Sequence, residues 1–116
     1  FVRRIHLRGI TDKNFSIRSF QERSAINAPI QGSAADIVRL AMIKINKLIE
    51  NDKKLQTKML LQIHDELIFE CLEKDAMYIK KTIKEAMISI SNSEYHMFSI
   101  PLDVHVNSGY NWGEIH

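Results

Sequence analysis

Residues 59–71 read Met-Leu-Leu-Gln-Ile-His-Asp-Glu-Leu-Ile-Phe-Glu-Cys, and the way this stretch folds decides the architecture around it. Two apolar-rich runs, residues 59–63 and 67–71, flank the consecutive polar residues His64, Asp65 and Glu66. Each run has the length of a strand, so the pattern predicts a β-hairpin with His-Asp-Glu as its turn. The turn chemistry is unusual. Tight hairpins favour Asn-Gly or Asp-Gly because their central residues need positive φ, and this stretch contains neither Gly nor Asn. Adjacent carboxylates between two buried strands also repel each other unless a positive charge lies beside them. Two readings fit: a solvated hairpin tip, or a divalent-metal site held on a rigid hairpin with Asp65 as its principal ligand.

Outward from the hairpin, both flanks read as helices. Upstream, Ile30, Ala34, Ile37, Val38, Ala41, Ile45, Leu48 and Ile49 recur at spacings of three and four. That spacing predicts an amphipathic helix with one apolar face, stopping around residues 51–54. Pro29 suits its first turn. Ser19 and Glu22 have capping-box spacing, so a separate short helix is expected from about residue 20 to just before Pro29. Gln31, Gly32, Ser33, Ala34 and Ala35 then make a helix start of small or polar residues. Such a start either packs closely on a sheet or turns free amides toward phosphate or carboxylate.

Downstream, residues 75–90 predict a second amphipathic helix, with Ala76, Ile79, Ile83, Ala86, Met87 and Ile90 inward. Lys80, Lys81, Lys84 and Glu85 form its solvated face. Residues 91–99 read as a polar connection. Leu102, Val104 and Val106 alternate with Asp103 and His105, so residues 101–106 read as a half-buried strand with His105 on its polar side. An extended segment at residues 1–7 and a closing turn at residues 108–112 complete the chain. The order helix, helix, hairpin, helix, strand implies an α+β fold, an antiparallel sheet packed against amphipathic helices.

Composition sets the frame. The chain has 116 residues, 45% hydrophobic and 26% charged, enough for one domain with a core and too apolar for disorder. Cys71 is the one cysteine, so no internal disulfide forms, and its place in an apolar run reads as a small core residue. No apolar run reaches membrane-spanning length, and no signal peptide is visible. The chain starts at Phe1, not Met, and is expected to be a piece of something longer. The net charge of +2 hides an asymmetry. Arg3, Arg4, Arg8, Lys13, Arg18 and Arg23 outnumber Asp12 and Glu22 by four in residues 1–23, which leaves −2 for the remainder. A basic end joined to an acid-bearing core points to a polyanion on one side and a metal on the other.

Residues 22–36, Glu-Arg-Ser-Ala-Ile-Asn-Ala-Pro-Ile-Gln-Gly-Ser-Ala-Ala-Asp, resemble the ER-x-A-x-N-x-PIQGSAAD stretch of family A DNA polymerases, the bacterial DNA polymerase I type. Residues 61–67, Leu-Gln-Ile-His-Asp-Glu-Leu, are similar to the third polymerase motif of that family. The closing stretch from Pro101-Leu102 to Trp112 is similar to its last strand and terminal aromatic. The resemblance runs along nearly the whole chain. It departs at Val2-Arg3-Arg4-Ile5 and Leu7-Arg8, where the family usually reads Gly-Arg-Arg-Arg and then Leu-Pro, so Arg3 and Arg4 receive no defined role.

The resemblance implies a C-terminal portion of a polymerase palm. Residues 1–28 would form a basic segment at the join to the fingers, and residues 29–116 the palm helix, hairpin, helix and strand. The implied activity is template-directed DNA synthesis, with nucleotidyl transfer from a dNTP to a primer 3′-hydroxyl assisted by two Mg²⁺ ions. In that scheme Asp65 binds metal directly, and Glu66 is the second catalytic carboxylate, a weaker ligand or an organiser of water and primer. Arg23, Asn27, Gln31 and His64 would reach minor-groove acceptors, reading pair shape and not sequence, while Arg18 would meet backbone phosphates. The implied partners are primer–template DNA, dNTP substrates and the rest of the same polymerase chain, with no membrane. The family's other catalytic aspartate and its nucleotide-gripping helix precede the position of Phe1, so this chain alone should not synthesise DNA. The resemblance fits a bacterial cytoplasm or a DNA-containing organelle and does not choose between them. Three rival classes compete with this one. A metal phosphohydrolase wants further His and Asp ligands at helical spacing, which His6, His96, His105 and His116 do not supply. A single-subunit RNA polymerase carries a His-Asp-Ser motif where this chain has Glu66. A non-catalytic nucleic-acid-binding module remains open for the isolated chain.

Overall fold

Asn14 starts the longest element. Its Oδ1 accepts the backbone amides of Ser16 at 2.9 Å and Ile17 at 3.4 Å, which is what an N-cap side chain does for otherwise unpaired helix donors. The Asn14 amide in turn donates to Asp12 Oδ1 at 2.7 Å. From this cap, α1 runs as Phe15–Asn51 with Pro29 inside it. The loop before it lies close on the first turns: a Cβ added at Gly9 would come within 2.7 Å of Ile17 Cγ2.

A single helix replaces the two expected on either side of Pro29, and it starts at Asn14 instead of Ser19. A proline inside a helix removes one hydrogen bond and crowds the preceding turn, at a cost of about 3 kcal/mol. Good helix formers on both sides and a well-made cap at Asn14 outweigh that local cost. Ser24 Oγ donates to the Phe20 carbonyl at 3.0 Å and Ser33 Oγ to that of Pro29 at 2.7 Å, each a local bond from side chain to the backbone one turn earlier. Residues 31–35 are therefore mid-helix, their amides are turned into the helix ladder, and the anion-binding helix start does not exist.

The computed structural model describes residues 4–91 and 101–115. The chain divides into two compact units, Phe1–Val38 and Arg39–His116, with the division inside α1. In the second unit, α1 is followed by β1 (Lys58–Ile63), β2 (Glu66–Glu70), a 3-10 turn at Glu73–Asp75, α2 (Ala76–Ile88) and a short α3 (Trp112–Ile115). Strands β1 and β2 form a two-stranded antiparallel sheet. With this antiparallel sheet and the helices before and after it, the α+β class holds. The core of this unit is Ala41 and Ile45 of α1 with Ile79, Ile83 and Ala86 of α2, joined by Ile90 just beyond. The inward face expected for the second helix is the buried one, because α2 keeps one apolar stripe at 3.6-residue period. Lys44 Nζ donates to Ser89 Oγ, whose hydroxyl donates to the Ala86 carbonyl, and this ties the end of α2 to α1.

The apolar face expected along α1 is buried at Val38, Ala41 and Ile45 and exposed at Ile30, Ala34 and Leu48. Periodicity predicts which residues share a face, and only neighbours decide whether it is covered. The same distinction governs residues 101–106. Leu102, Val104 and Val106 are half-buried and Asp103 and His105 exposed, as the alternation predicts, yet no ladder forms there among the described residues. A two-faced extended segment becomes a strand only when another backbone pairs with it. The expected connection at residues 91–99 lies, from residue 92 on, outside the described residues, as do residues 1–3 of the expected N-terminal segment.

Thr57 is buried, and its Oγ1 has no hydrogen-bond partner among the described residues. An unsatisfied buried hydroxyl costs about 1–3 kcal/mol. Thr57→Val, which keeps the shape and removes the hydroxyl, should therefore raise resistance to urea. A lowered unfolding midpoint would show that the hydroxyl is satisfied.

Candidate catalytic hairpin and nucleic-acid face

The hairpin register is Lys58↔Glu70, Met59↔Phe69, Leu61↔Ile68, Gln62↔Leu67 and Ile63↔Glu66, with an irregularity between Met59 and Leu61. The turn is thus two residues, His64-Asp65, and Glu66 belongs to β2, one residue fewer in the turn than expected. A two-residue connection needs positive φ, and His64 supplies it at φ 53°, alone among the described non-glycine residues. Histidine enters this region more readily than most side chains, at a cost on the order of 1–2 kcal/mol. Gln62 Nε2 donates to the His64 carbonyl at 3.3 Å and braces the turn from β1. A backbone outlier held this way is a reason to look for function at the site.

His64, Asp65 and Glu66 are all exposed, so the hairpin tip presents two carboxylates and an imidazole at the surface. The strands beneath are only partly covered, with Leu60 49% and Leu61 48% exposed, so the expectation of strongly buried strands does not hold.

Carboxylates are the hard oxygen donors that Mg²⁺ prefers, so Asp65 and Glu66 fit such an ion by donor chemistry. Among the described residues, however, no three His, Cys, Asp or Glu side chains gather in a way that would hold a metal. The donor type fits and the donor set is incomplete.

The first unit carries the other candidates. Arg23, Asn27 and Gln31 follow one another at four-residue steps on α1 and are exposed, forming one slowly rotating row of donors. The row spans about 12 Å at 1.5 Å per residue. Arg23 donates one Nη1 hydrogen to Ser19 Oγ at 2.9 Å, and a guanidinium has five donors. Arg18 lies off this row and is engaged locally. Its Nη1 donates to the Asp12 carbonyl at 3.4 Å, its Nε is 3.8 Å from Glu22 Oε1, and its guanidinium stacks 5.8 Å over the Phe15 ring. Gly32 is half-buried in α1, and a Cβ added there would meet nothing within 4 Å, so no other backbone approaches this small residue among those described.

Three other reactive groups are engaged away from the hairpin tip. Burial, and then the negative charge of Asp75, raise the Cys71 thiol above its ordinary pKa, so it is a poor nucleophile at neutral pH. The Tyr110 hydroxyl donates to Glu73 at 2.7 Å, and this bond, with some desolvation, raises its pKa as well. Asp36, quoted in the motif with no role, is buried and engaged within the protein. A buried acid of this kind gives no periodic signal in sequence. A cleft of about 290 Å³ among Ile45, Leu55, Thr57, Tyr78 and Ile79 contains none of the candidate residues.

Comparison with known proteins places the chain in the polymerase class. The family model for DNA polymerase family A matches residues 1–114, and the chain belongs to that family. It is 45% identical over 114 residues to DNA polymerase I of Streptococcus pneumoniae, covering 98% of this chain and 12% of that protein. DNA polymerase I of Rhizobium leguminosarum is 45% identical over 117 residues, covering 100% of this chain and 11% of its own length. The Bacillus subtilis enzyme is 42% identical over 111 residues, 95% of this chain and 12% of that protein. Among solved structures, the POL domain of Pol1 from M. smegmatis, in complex with DNA primer–template and dNTP, superposes with a TM-score of 0.82 at 38% identity. That match covers 97% of this chain and 19% of the other. The chain therefore spans about an eighth of the length of these curated relatives.

Proposed function

We propose that this chain is the C-terminal part of the palm of a family A DNA polymerase, and that the whole enzyme joins dNTPs to a primer 3′-hydroxyl under direction of a template. The observation that carries the reading is the hairpin tip, where Asp65 and Glu66 stand exposed beside a His64 held at φ 53°. The solved relative in complex with primer–template and dNTP supports the choice of partners. Asp65 would bind Mg²⁺ directly, with Glu66 beside it orienting water or the primer end. Mg²⁺, when bound as a pair, supplies positive charge for the attacking and leaving oxygens of phosphoryl transfer. One direct carboxylate does not hold two such ions, so the remainder of the polymerase must add its own, and the 116 residues alone are not expected to extend a primer.

Arg23, Asn27, Gln31 and His64 are assigned to the minor groove. A·T, T·A and G·C pairs all present N3 and O2 acceptors there, so donors sense pair geometry without reading sequence. Arg18 is assigned to a backbone phosphate, for which its present neighbours Glu22 and the Asp12 carbonyl would have to give way. An exposed ion pair of this kind holds an arginine only weakly.

The test uses the full-length polymerase, comparing Gln31→Ala with Arg18→Ala. A hydrogen bond to a neutral acceptor contributes about 0.5–1.5 kcal/mol, so Gln31→Ala should weaken primer–template binding about two- to tenfold. Its melting should be unchanged, because the side chain is exposed. Arg18→Ala should lower the slope of log affinity against log salt by about one, and Gln31→Ala should leave it alone. If Gln31→Ala melts several degrees lower yet binds DNA like the parent, Gln31 is a structural residue and the groove assignment fails.

A further inference from the structure

Beside the donor row on α1 lies a second row, and it is apolar. Ile26 and Ile30 are each 70% exposed, and Ala34 continues the row, also exposed. Ile26 is three residues beyond Arg23 and Ile30 three beyond Asn27, so their Cβ atoms lie about 5–6 Å from those of the donors. Large apolar side chains this exposed, interleaved with donors on one helix face, call for a partner that is itself apolar and polar in adjacent strips. A protein element covering the isoleucines would also desolvate Arg23 and Asn27 beside them, at a cost unless each found a partner. The unit bearing both rows is basic, with six Arg or Lys against three Asp or Glu in Phe1–Val38.

The minor groove of a duplex has the matching pattern. Its floor carries hydrogen-bond acceptors, and its rims are the carbon–hydrogen edges of the sugars. A helix about 10 Å across does not enter a groove about 6 Å wide, so only its longer side chains reach the floor. With Arg23, Asn27 and Gln31 reaching in, the adjacent row meets the rim. In RNA that rim bears the 2′-hydroxyl. An isoleucine pressed there strips the hydroxyl of water and offers it no hydrogen bond.

Resting on the groove assignment of Arg23, Asn27 and Gln31, we propose that the Ile26–Ile30 row is a sugar-selective contact, which accepts deoxyribose along the primer–template duplex and rejects ribose. The row extends the enzyme's selectivity from base-pair shape to the backbone sugar of nucleic acid already synthesised.

The experiment uses the full-length polymerase and a set of primer–templates identical in sequence. Each carries one ribonucleotide, moved one position at a time along the primer, so that the duplex form is preserved. Dissociation constants are compared with the all-DNA duplex for the parent, Ile30→Thr, Ile30→Leu and Gln31→Ala. In the parent the ribose penalty should peak at one or two positions, at about five- to tenfold. Ile30→Thr keeps the branched shape and offers a hydroxyl, so it should flatten that peak. Ile30→Leu should retain it. Gln31→Ala should weaken every duplex and leave the profile's shape unchanged. If Gln31→Ala weakens binding and the ribose profile is flat in the parent, or is the same in Ile30→Thr, the sugar contact is overturned while the groove assignment stands. If Gln31→Ala changes nothing, both fall together. A fall of several degrees in melting for Ile30→Thr, with an unaltered profile, would show that another part of the polymerase covers the row, and this too overturns the proposal.

Discussion

Asp65→Asn in the full-length polymerase should lower kcat by about 10³-fold or more, since several kcal/mol of charge stabilisation depend on its carboxylate and each 1.4 kcal/mol is about tenfold. The substitution keeps the shape and removes the charge. Because Asp65 is exposed at the end of a two-residue turn, neither melting nor primer–template affinity should change appreciably. An interaction lost from the transition state alone lowers kcat and kcat/KM together, and single-turnover primer extension measures this directly. Near-normal turnover in Asp65→Asn would make the hairpin tip a solvated turn and nothing more. Glu66 lies in β2, paired with Ile63. Glu66→Gln is expected to cost less, in keeping with a group that orients and does not hold the ion.

Ile45→Ala should lose about 3 kcal/mol of stability, within the usual 2–5 kcal/mol for truncating a buried isoleucine. Ile45 is 1% exposed, and it borders the cleft of about 290 Å³, which the truncation would enlarge. The informative comparison is Ile30→Ala, the same chemical change on the same helix at a side chain 70% exposed. Away from buried features such a change costs within about 0.5 kcal/mol. Urea unfolding of both variants in the absence of DNA distinguishes them. Equal losses would mean that the buried and exposed portions of α1 are wrongly assigned.

These two residues mark the division between what was legible and what was not. Asp65 was visible because its neighbours in sequence are its neighbours in space. A β-hairpin is a local structure, so two apolar runs with three polar residues between them predict the turn, the strands and the carboxylates at the tip. The two-residue turn and the left-handed backbone at His64 were not visible, since the residues lack the usual Asn-Gly signature and the strain is borne by the pairing of β1 with β2. Arg23, Asn27 and Gln31 were found as members of a motif, and their common row on one helix follows from their four-residue spacing.

The N-terminus of α1 was readable in principle from Asn14, a preferred capping residue, but Ser19 and Glu22 offered a competing signal three residues apart. Pro29 reads locally as a helix boundary and is not one, for a clearer reason. Its cost is local and fixed, while the benefit of continuing the helix is collected over turns on both sides. By itself, then, the sequence determined the family, the hairpin with its acid tip and the apolar stripe of α2, because each is written in contiguous residues or a short period. Tertiary structure alone decided that Ile45 is buried while Ile26 and Ile30 on the same helix face solvent, and that residues 101–106 alternate without a pairing strand among the described residues. Covering a face and completing a ladder need a second backbone distant in sequence, and no local pattern specifies where that backbone will be.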